Sequence, residues 1–394
     1  MRFVLADKNL VVAGRVYEGF PLLIGNDGDA IQPAQEWLWH ALVRSGRVAS
    51  PKSWDAYGRA IYDFFAFSIT NGYDWRKPSH GGLPCAIEAW RDWSKGTLGL
   101  SPRTINQRIR VVVRFYQWAL RKGLIQALPF DYVRVQTGRD PGFLDHVDER
   151  GGKVSTPDVM LSEEVRSLRI LTKEQISVCH DTLTNQTHQL LFELMVRTGM
   201  RQMEARTFPD AYVFDPSKRR DLKEGQKLRV RLSPKDMEIK LSKPRDIDVP
   251  YDLMEKLWAY SARRRQARAN NHPSGQEFPH LFLTEGGNPY DKDAMTWIFR
   301  SLTKRVGFKV EAHMLRHTYA TYLLWSLRKS TVFEGEPLLY VRDRLGHSDV
   351  STTTIYLHLV NSLEGGVALA HEDEIDKLFA AKNNEPQAEE TTPT

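Results

Sequence analysis

The sequence predicts a mostly α-helical protein of two domains, with a small antiparallel β-sheet in the second. Three observations carry that expectation. Apolar residues recur at helical spacing through residues 32–125. Prolines, glycines and mixed charges then break the pattern. A helix start at Thr172 opens a second patterned region, in which residues 228–250 alternate as paired strands do.

Residues 1–30 read as a short N-terminal arm with strand-like pieces, closed by the turn-rich GNDGD. Residues 31–126 follow as a helical domain. Residues 53–70 form an amphipathic helix whose Tyr and Phe side chains belong to a core rather than to base-stacking platforms. The clearest helix covers residues 101–123. Ser101 suits the N-cap, Pro102 the first helical position and Gly123 the stop. Ile105, Ile109, Val112, Val113, Tyr116 and Leu120 make its apolar stripe. Arg103, Arg108, Arg110, Arg114, Arg121 and Lys122 line its polar side, and no acid occurs between Ser101 and Gly123. A solvated helix mixes both signs, so this face favours phosphate contact.

Residues 127–168, with GRDPGFLDHVDERGGKVSTPD at their centre, read as an extended interdomain linker. Thr172 and Gln175 then fit a capping box, with Leu171 and Ile176 as its hydrophobic staple. The second domain runs over residues 169–382. Residues 383–394 are acidic and poor in apolar side chains, as disordered tails are.

Apolar residues at 41% and charged residues at 26% describe a soluble globular chain. Nothing resembles a membrane span or a cleavable signal. Cys85 and Cys179 lie far apart with no partner motif, so they read as reduced core thiols of a cytoplasmic protein and offer no cysteine metal site. The formal charge is +6, but seven acids and only two lysines follow residue 370, so the preceding 370 residues carry about +11. That excess favours a polyanionic partner over a merely soluble basic protein.

Four clusters could do chemistry. In Thr198-Gly-Met-Arg201-Gln-Met-Glu204, Leu190, Leu191, Leu194 and Met195 drive a buried helix that stops at Gly199, and a new helix starts at Arg201. A guanidinium projected beside a core needs either Glu204 or a bound anion. Residues 228–250 read as a hairpin with a Pro-Lys-Asp turn, presenting Lys240 and Lys243. His313 and Arg316 share one helix face, while Leu315, Tyr319, Leu323 and Leu324 take the core side. Two donors without an acid between them ask for an anion, and Arg316 would repel a metal ion. Last, a helix over residues 337–345 ends at Gly346, placing His347 just past it. Ser348, Asp349 and Ser351 offer N-caps for the next helix, which carries Tyr356 among small hydroxyl residues, little encumbered.

Taken together the set fits phosphoryl transfer at a phosphodiester without metal or cofactor. Two guanidiniums grip the non-bridging oxygens and neutralise charge growing in the transition state. Tyr356 attacks phosphorus, Lys240 protonates the departing 5′-oxygen, and His313 takes or returns the tyrosine proton.

These clusters resemble the tyrosine recombinase, or phage integrase, family. Thr198-Gly-x-Arg201-x-x-Glu204, the hairpin lysine, His313-x-x-Arg316 and Leu345-Gly-His347 followed by Tyr356 match its signature in order and spacing over about residues 165–365. The helix at 101–123 is similar to the family's core-binding domain. The resemblance implies a SAM-like helical DNA-binding domain, a catalytic domain of the DNA breaking-rejoining type, and a C-shaped clamp on double-stranded DNA. It also implies a covalent 3′-phosphotyrosyl joint, a free 5′-hydroxyl and strand exchange within a homotetramer, and it admits helper proteins. Arg201 and Arg316 would bind the scissile phosphate and His347 would hydrogen-bond it. Lys240-x-x-Lys243-x-Arg245 favours Lys240 as the catalytic lysine and leaves Lys243 open. The N-terminal arm with its Pro-Leu-Leu-Ile-Gly run resembles transposon-borne integrases. Residues 372–382 could form a short helix that docks on a neighbouring protomer. A type IB topoisomerase or a non-catalytic descendant that only binds DNA shares part of this pattern; a binder has no need of Tyr356.

Overall fold

In the structure, a computed structural model that describes residues 1–364 except 47, 49, 79–82, 137–152 and 164–167, aromatic side chains draw the first part of the chain together. The chain divides into two units, Met1–Val165 and Arg166–Thr394. In the first, strand β1 (Arg2–Leu5) pairs antiparallel with β4 (Pro21–Ile24), around a small hairpin of β2 (Val11–Val12) and β3 (Arg15–Val16). Helix α1 (Ala34–Trp39) runs on through a π-turn, and α2 (Pro51–Thr70), α3 (Ala86–Gly96) and α4 (Pro102–Arg121) complete the bundle. Phe20, Leu23, Trp37, Phe64, Trp90, Phe115 and Tyr116 share one core.

This corrects the reading of residues 1–30 as an arm. Phe20 and Leu23 are fully buried, so the strands fold onto the helices instead of projecting. On α2 the phenylalanines are core, as expected. On α4 the cap holds: Ser101 Oγ accepts the Thr104 N–H at 3.3 Å. Five of the six stripe residues are buried, but Leu120 is exposed. Phe115, Trp118 and Ala119 rotate the buried arc away from it.

The linker expectation also changes. Strand β5 (Tyr132–Gln136) pairs antiparallel with β6 (Lys153–Pro157), and Phe130 and Val159 beside them enter the helical core. Asn106 of α4 brackets Leu161, donating to its carbonyl at 2.8 Å and accepting from its N–H at 2.9 Å. The middle of the expected linker, the 372–382 segment and the acidic tail lie outside the described residues.

In the second unit, Thr172 and Gln175 form the expected capping box at the start of α5 (Lys173–Thr182). Helices α6 (Gln186–Thr198) and α7 (Gln202–Arg206) follow, then strands β7 (Lys227–Leu232) and β8 (Arg245–Pro250), paired antiparallel. Helix α8 (Tyr251–Tyr260) continues through a π-turn into α9 (Gln266–Asn270). Helices α10 (Lys292–Val306), α11 (Ala312–Lys329), α12 (Pro337–Leu345) and α13 (Ile355–Glu364) complete the unit.

Helices α6 and α11 pack against each other at its centre. Every residue from Leu190 to Thr198 is buried, and so is every residue from Met314 to Trp325. Helices enclosed on all sides carry polar groups only where those are compensated. In α6, Arg197 bonds Glu193 at 2.7 Å and Asp252 at 2.8 Å, and Lys256 reaches Glu193 at 3.0 Å.

The hairpin connection is wider than the Pro-Lys-Asp turn the sequence suggests. Ser233 O accepts from both Asp236 and Met237, which turns the chain sharply. Met237 and Ile239 then bury their side chains instead of pairing, so pairing resumes only at Arg245.

Gly199 ends α6 in the left-handed region, at φ +66°, and a Cβ there would stand 2.3 Å from the Tyr319 ring. Both features demand glycine. Gly199→Ala is therefore expected to cost at least about 2 kcal/mol of stability. A urea titration reads this as a lower midpoint at unchanged slope.

Candidate active site

The stop at Gly199 delivers Arg201 as the N-cap of α7. Its backbone N–H donates to Glu204 Oε2 at 2.8 Å, and its Nη1 bonds Oε1 at 3.1 Å. The intrahelical ion pair thus exists, but Glu204 does not belong to Arg201 alone. Arg245, the first residue of β8, donates from Nη2 to Glu204 Oε2 at 2.6 Å. Glu204 is fully buried, and Arg245 is 5% exposed. Desolvation lowers the Arg245 pKa first, with Glu204 opposing it. Its Nη1 also reaches Arg344 O at 3.4 Å, while its Nε is buried with no partner among the described residues.

Arg316 comes up from α11 into the same place and is 1% exposed. Its Nη1 donates to Gly199 O at 2.7 Å, and its Nη2 donates to Leu345 O at 2.5 Å. Those carbonyls lie at the C-terminal ends of α6 and α12, which carry partial negative charge. Burial lowers the Arg316 pKa to about 9, helped by Arg201 and Arg245, so the group remains charged at neutral pH. Two guanidiniums therefore share one buried carboxylate while Arg316 is held by carbonyls alone, a positive excess that suits a further anion.

Helix α12 ends at Gly346, φ +62°, where a Cβ would stand 2.6 Å from Arg245 Cδ. The turn releases His347, whose Nδ1 bonds Thr353 Oγ1 at 2.9 Å. Burial and then Arg316, Arg201 and Arg245 push the His347 pKa down to about 3, leaving a neutral imidazole. A 3-10 turn over Val350–Thr352 intervenes between Gly346 and α13.

Tyr356 lies in the first turn of α13 and is 1% exposed, which corrects the expectation of a little-encumbered phenol. The small hydroxyl residues around it do not leave it open. Its packing partners come from α11, α12 and its own helix, with Tyr319, Leu345 and Val360 in the same cluster. The Tyr356 hydroxyl bonds His317 Nδ1 at 3.0 Å, and its ring stacks on His347 with centroids 6.4 Å apart. Burial raises its pKa, while Arg316 and Arg201 pull it down, so both guanidiniums act on this oxygen.

His313 is exposed at the start of α11. Partial desolvation lowers its pKa, followed by Arg316, Arg201 and Lys240. Lys240 is exposed and lies within electrostatic range of His313. Lys243 instead donates to Ser348 at 3.2 Å, next to His347. Lys240 opens a short turn in which Leu241 and Ser242 adopt left-handed backbone at φ +62° and +50°.

The basic face of α4, in the other unit, is less bare than the sequence implies. Asp63 of α2 pairs with Arg108 at 2.7 Å, and Glu163 pairs with Arg110 at 3.4 Å. Arg114 bonds the Tyr57 hydroxyl, and Arg103 is exposed. The acids missing from α4 itself come from elements distant in sequence.

Sequence reasoning missed two residues. His317 was hidden because it reads as one more buried position on α11. Arg245 was visible only as the end of the Lys-x-x-Lys-x-Arg run. Both cysteines are buried and free, as expected, with burial raising the thiols to about 11 and 12.

The site imidazoles link stability to pH. His317 is held down at about 4, chiefly by burial, and His347 at about 3, against an ordinary 6.5. The unfolded chain takes up these protons near pH 6.5 and the folded chain does not. Stability is therefore full above that value and lost as pH falls towards 4 and 3. The thermal midpoint should fall over this window, and His347→Asn should make the fall smaller; an identical fall in the variant would remove His347 from the account.

Comparison with known proteins gives the same picture. Residues 169–362 match the model of the Phage integrase family. Transposase A from transposon Tn554 of Staphylococcus aureus is 27% identical over 267 residues, covering 65% of this chain and 66% of its own length, just under two thirds. Tyrosine recombinase XerC of Bacillus pumilus is 28% identical over 308 residues, covering 77% and 84%. The Tn1549 transposon integrase, solved in complex with a circular intermediate DNA, superposes with a TM-score of 0.52 at 16% identity, covering 88% of this chain and 98% of that one. The XerH recombinase, solved bound to its difH substrate after cleavage, gives 0.50 at 16% identity, covering 86% and 89%. At such identities the structures speak for the fold. The family match spans Arg201, Glu204, Lys240, His313, Arg316, His347 and Tyr356, so residues 169–362 of this chain form a phage integrase family domain.

Proposed function

We propose that the protein cuts and rejoins double-stranded DNA at a specific site, with Tyr356 as nucleophile. The observation that carries this reading is Tyr356 within the electrostatic reach of Arg201 and Arg316 and stacked on His347, with Glu204 the one carboxylate bonded to Arg201 among the described residues. A phosphodiester oxygen pair suits that positive excess, and guanidiniums preorganised by buried partners lose little on binding it. The phenolic oxygen attacks phosphorus, a 3′-phosphotyrosyl ester forms, and the 5′-oxygen departs with a proton from Lys240. The reverse attack by a 5′-hydroxyl reseals the strand. The positive charge at the phosphate comes from side chains, so the reaction needs no metal ion.

The first unit serves DNA binding in this reading, with Arg103 and Arg114 on phosphates. Arg108 and Arg110 contribute less, because Asp63 and Glu163 hold them. A homotetramer brings two sites together. The DNA complexes of XerH and of the Tn1549 integrase support DNA as partner, and the Tn554 relative supports a role in moving a genetic element.

A nicked suicide substrate carrying the target site tests the proposal. The wild-type protein should form a DNA adduct that survives denaturation and is indifferent to EDTA, and Tyr356→Phe should bind the DNA and form none. Arg201→Ala should lose on the order of 10²–10³ in rate. Lys240→Ala should lose the adduct where Lys243→Ala keeps it. An adduct from Tyr356→Phe ends the proposal, and relaxation of any supercoiled plasmid without a site preference favours a topoisomerase.

A further inference from the structure

The phenol of Tyr356 is not held by His313, the histidine that the sequence offers for its proton. It is held by His317, one turn further along α11, through Nδ1 at 3.0 Å. Both partners are buried, and the rings of His317 and Tyr356 lie 5.7 Å apart. His313 touches the far side of this pair, its ring edge-on to His317 at 4.4 Å.

We infer that His317 is the group that positions the Tyr356 oxygen and receives its proton as the phosphotyrosyl bond forms. This rests on the proposed strand cleavage. A buried hydroxyl bonded to an imidazole nitrogen has one fixed proton direction, so its lone pairs have a fixed direction too. In the Nε2–H tautomer, His317 Nδ1 accepts from the hydroxyl and the phenolic proton faces α11, while Arg201 and Arg316 act electrostatically on the same group. In the step, the Tyr356 oxygen–phosphorus bond forms and the phosphorus–5′-oxygen bond breaks. The phenolic proton passes to His317 Nδ1, and the 5′-oxygen takes its proton from Lys240. The imidazolium so formed faces His313 and Arg316 on its own helix, Tyr356 on α13 and His347 beyond α12, with Arg201, Arg245 and Glu204 in the surrounding cluster. The bound phosphodiester adds the negative charge that makes room for it. His313 is then free to contact the phosphate or the leaving strand.

Single-turnover cleavage of the suicide substrate by the full-length protein, measured from pH 5 to 9 beside gel-shift binding, tests this. Asn at 317 keeps a polar atom where Nδ1 stands but takes up no proton, so His317→Asn controls for packing. The expected result is wild-type DNA binding in His317→Asn and His317→Ala. Cleavage should fall about 10²-fold or more, with less loss in His317→Asn than in His317→Ala, and in both variants it should rise steadily towards pH 9 as the small phenolate fraction grows. Full-rate cleavage by His317→Asn with an unchanged pH profile overturns the inference, because His317 would then only fill space. Should His317→Ala fail to fold, the Asn variant alone decides. Absence of any adduct in the wild-type protein strikes instead at strand cleavage, so the two failures are distinguishable.

Discussion

The site depends on one guanidinium placed between two helix ends. Arg316 donates to Gly199 O at the close of α6 and to Leu345 O at the close of α12. Each helix ends with carbonyls that its own backbone cannot satisfy, and each end is negative. Burying a positive charge there solves two problems together: the carbonyls gain a donor, and the charge gains a negative environment without a carboxylate. A carboxylate bonded straight to Arg316 would cancel the charge that a phosphate needs. Carbonyl dipoles stabilise the cation while leaving its net charge available, and a planar group with five N–H donors has some left to offer.

The rest of the cluster follows from that arrangement. Because α6 and α12 must end beside the same guanidinium, both end on left-handed glycines, and a side chain on either would strike a neighbour. The chain leaving Gly199 supplies Arg201, and the chain leaving Gly346 supplies His347. Glu204 anchors Arg201 and Arg245 together, tying the sheet to the helices. Fold and site are therefore assembled by the same contacts, consistent with the burial of nearly every group involved.

How much of this the sequence disclosed depends on the range of each interaction. Local signals were legible. The cap at Ser101, the capping box at Thr172 and the stops at Gly123, Gly199 and Gly346 all stand where short-range rules put them. The order of Arg201, His313, Arg316, His347 and Tyr356 could be matched to a known motif without knowing the fold. Long-range partners could not. The acids facing α4 come from Asp63 and Glu163, Phe20 and Leu23 are drawn into a core formed by later helices, and β5 finds β6 across residues that read as linker. Tyr356 looked exposed because its neighbours in sequence are small, whereas its burial comes from helices elsewhere. His317 was missed for the converse reason, since a polar residue within an enclosed helix discloses its partner only in three dimensions.

The double duty of Arg316 bears on how an enzyme of the proposed kind can decay. A surface catalytic residue drifts away silently once its activity stops mattering. Here, replacing Arg316 by an apolar residue strands two buried carbonyls, each worth on the order of 1–3 kcal/mol. A lineage that gave up catalysis would be under pressure to keep this arginine for solubility and abundance alone. Retention of Arg316 in a descendant is accordingly poor testimony to activity; the ring at position 356, whose hydroxyl bonds one imidazole among the described residues, is the better witness.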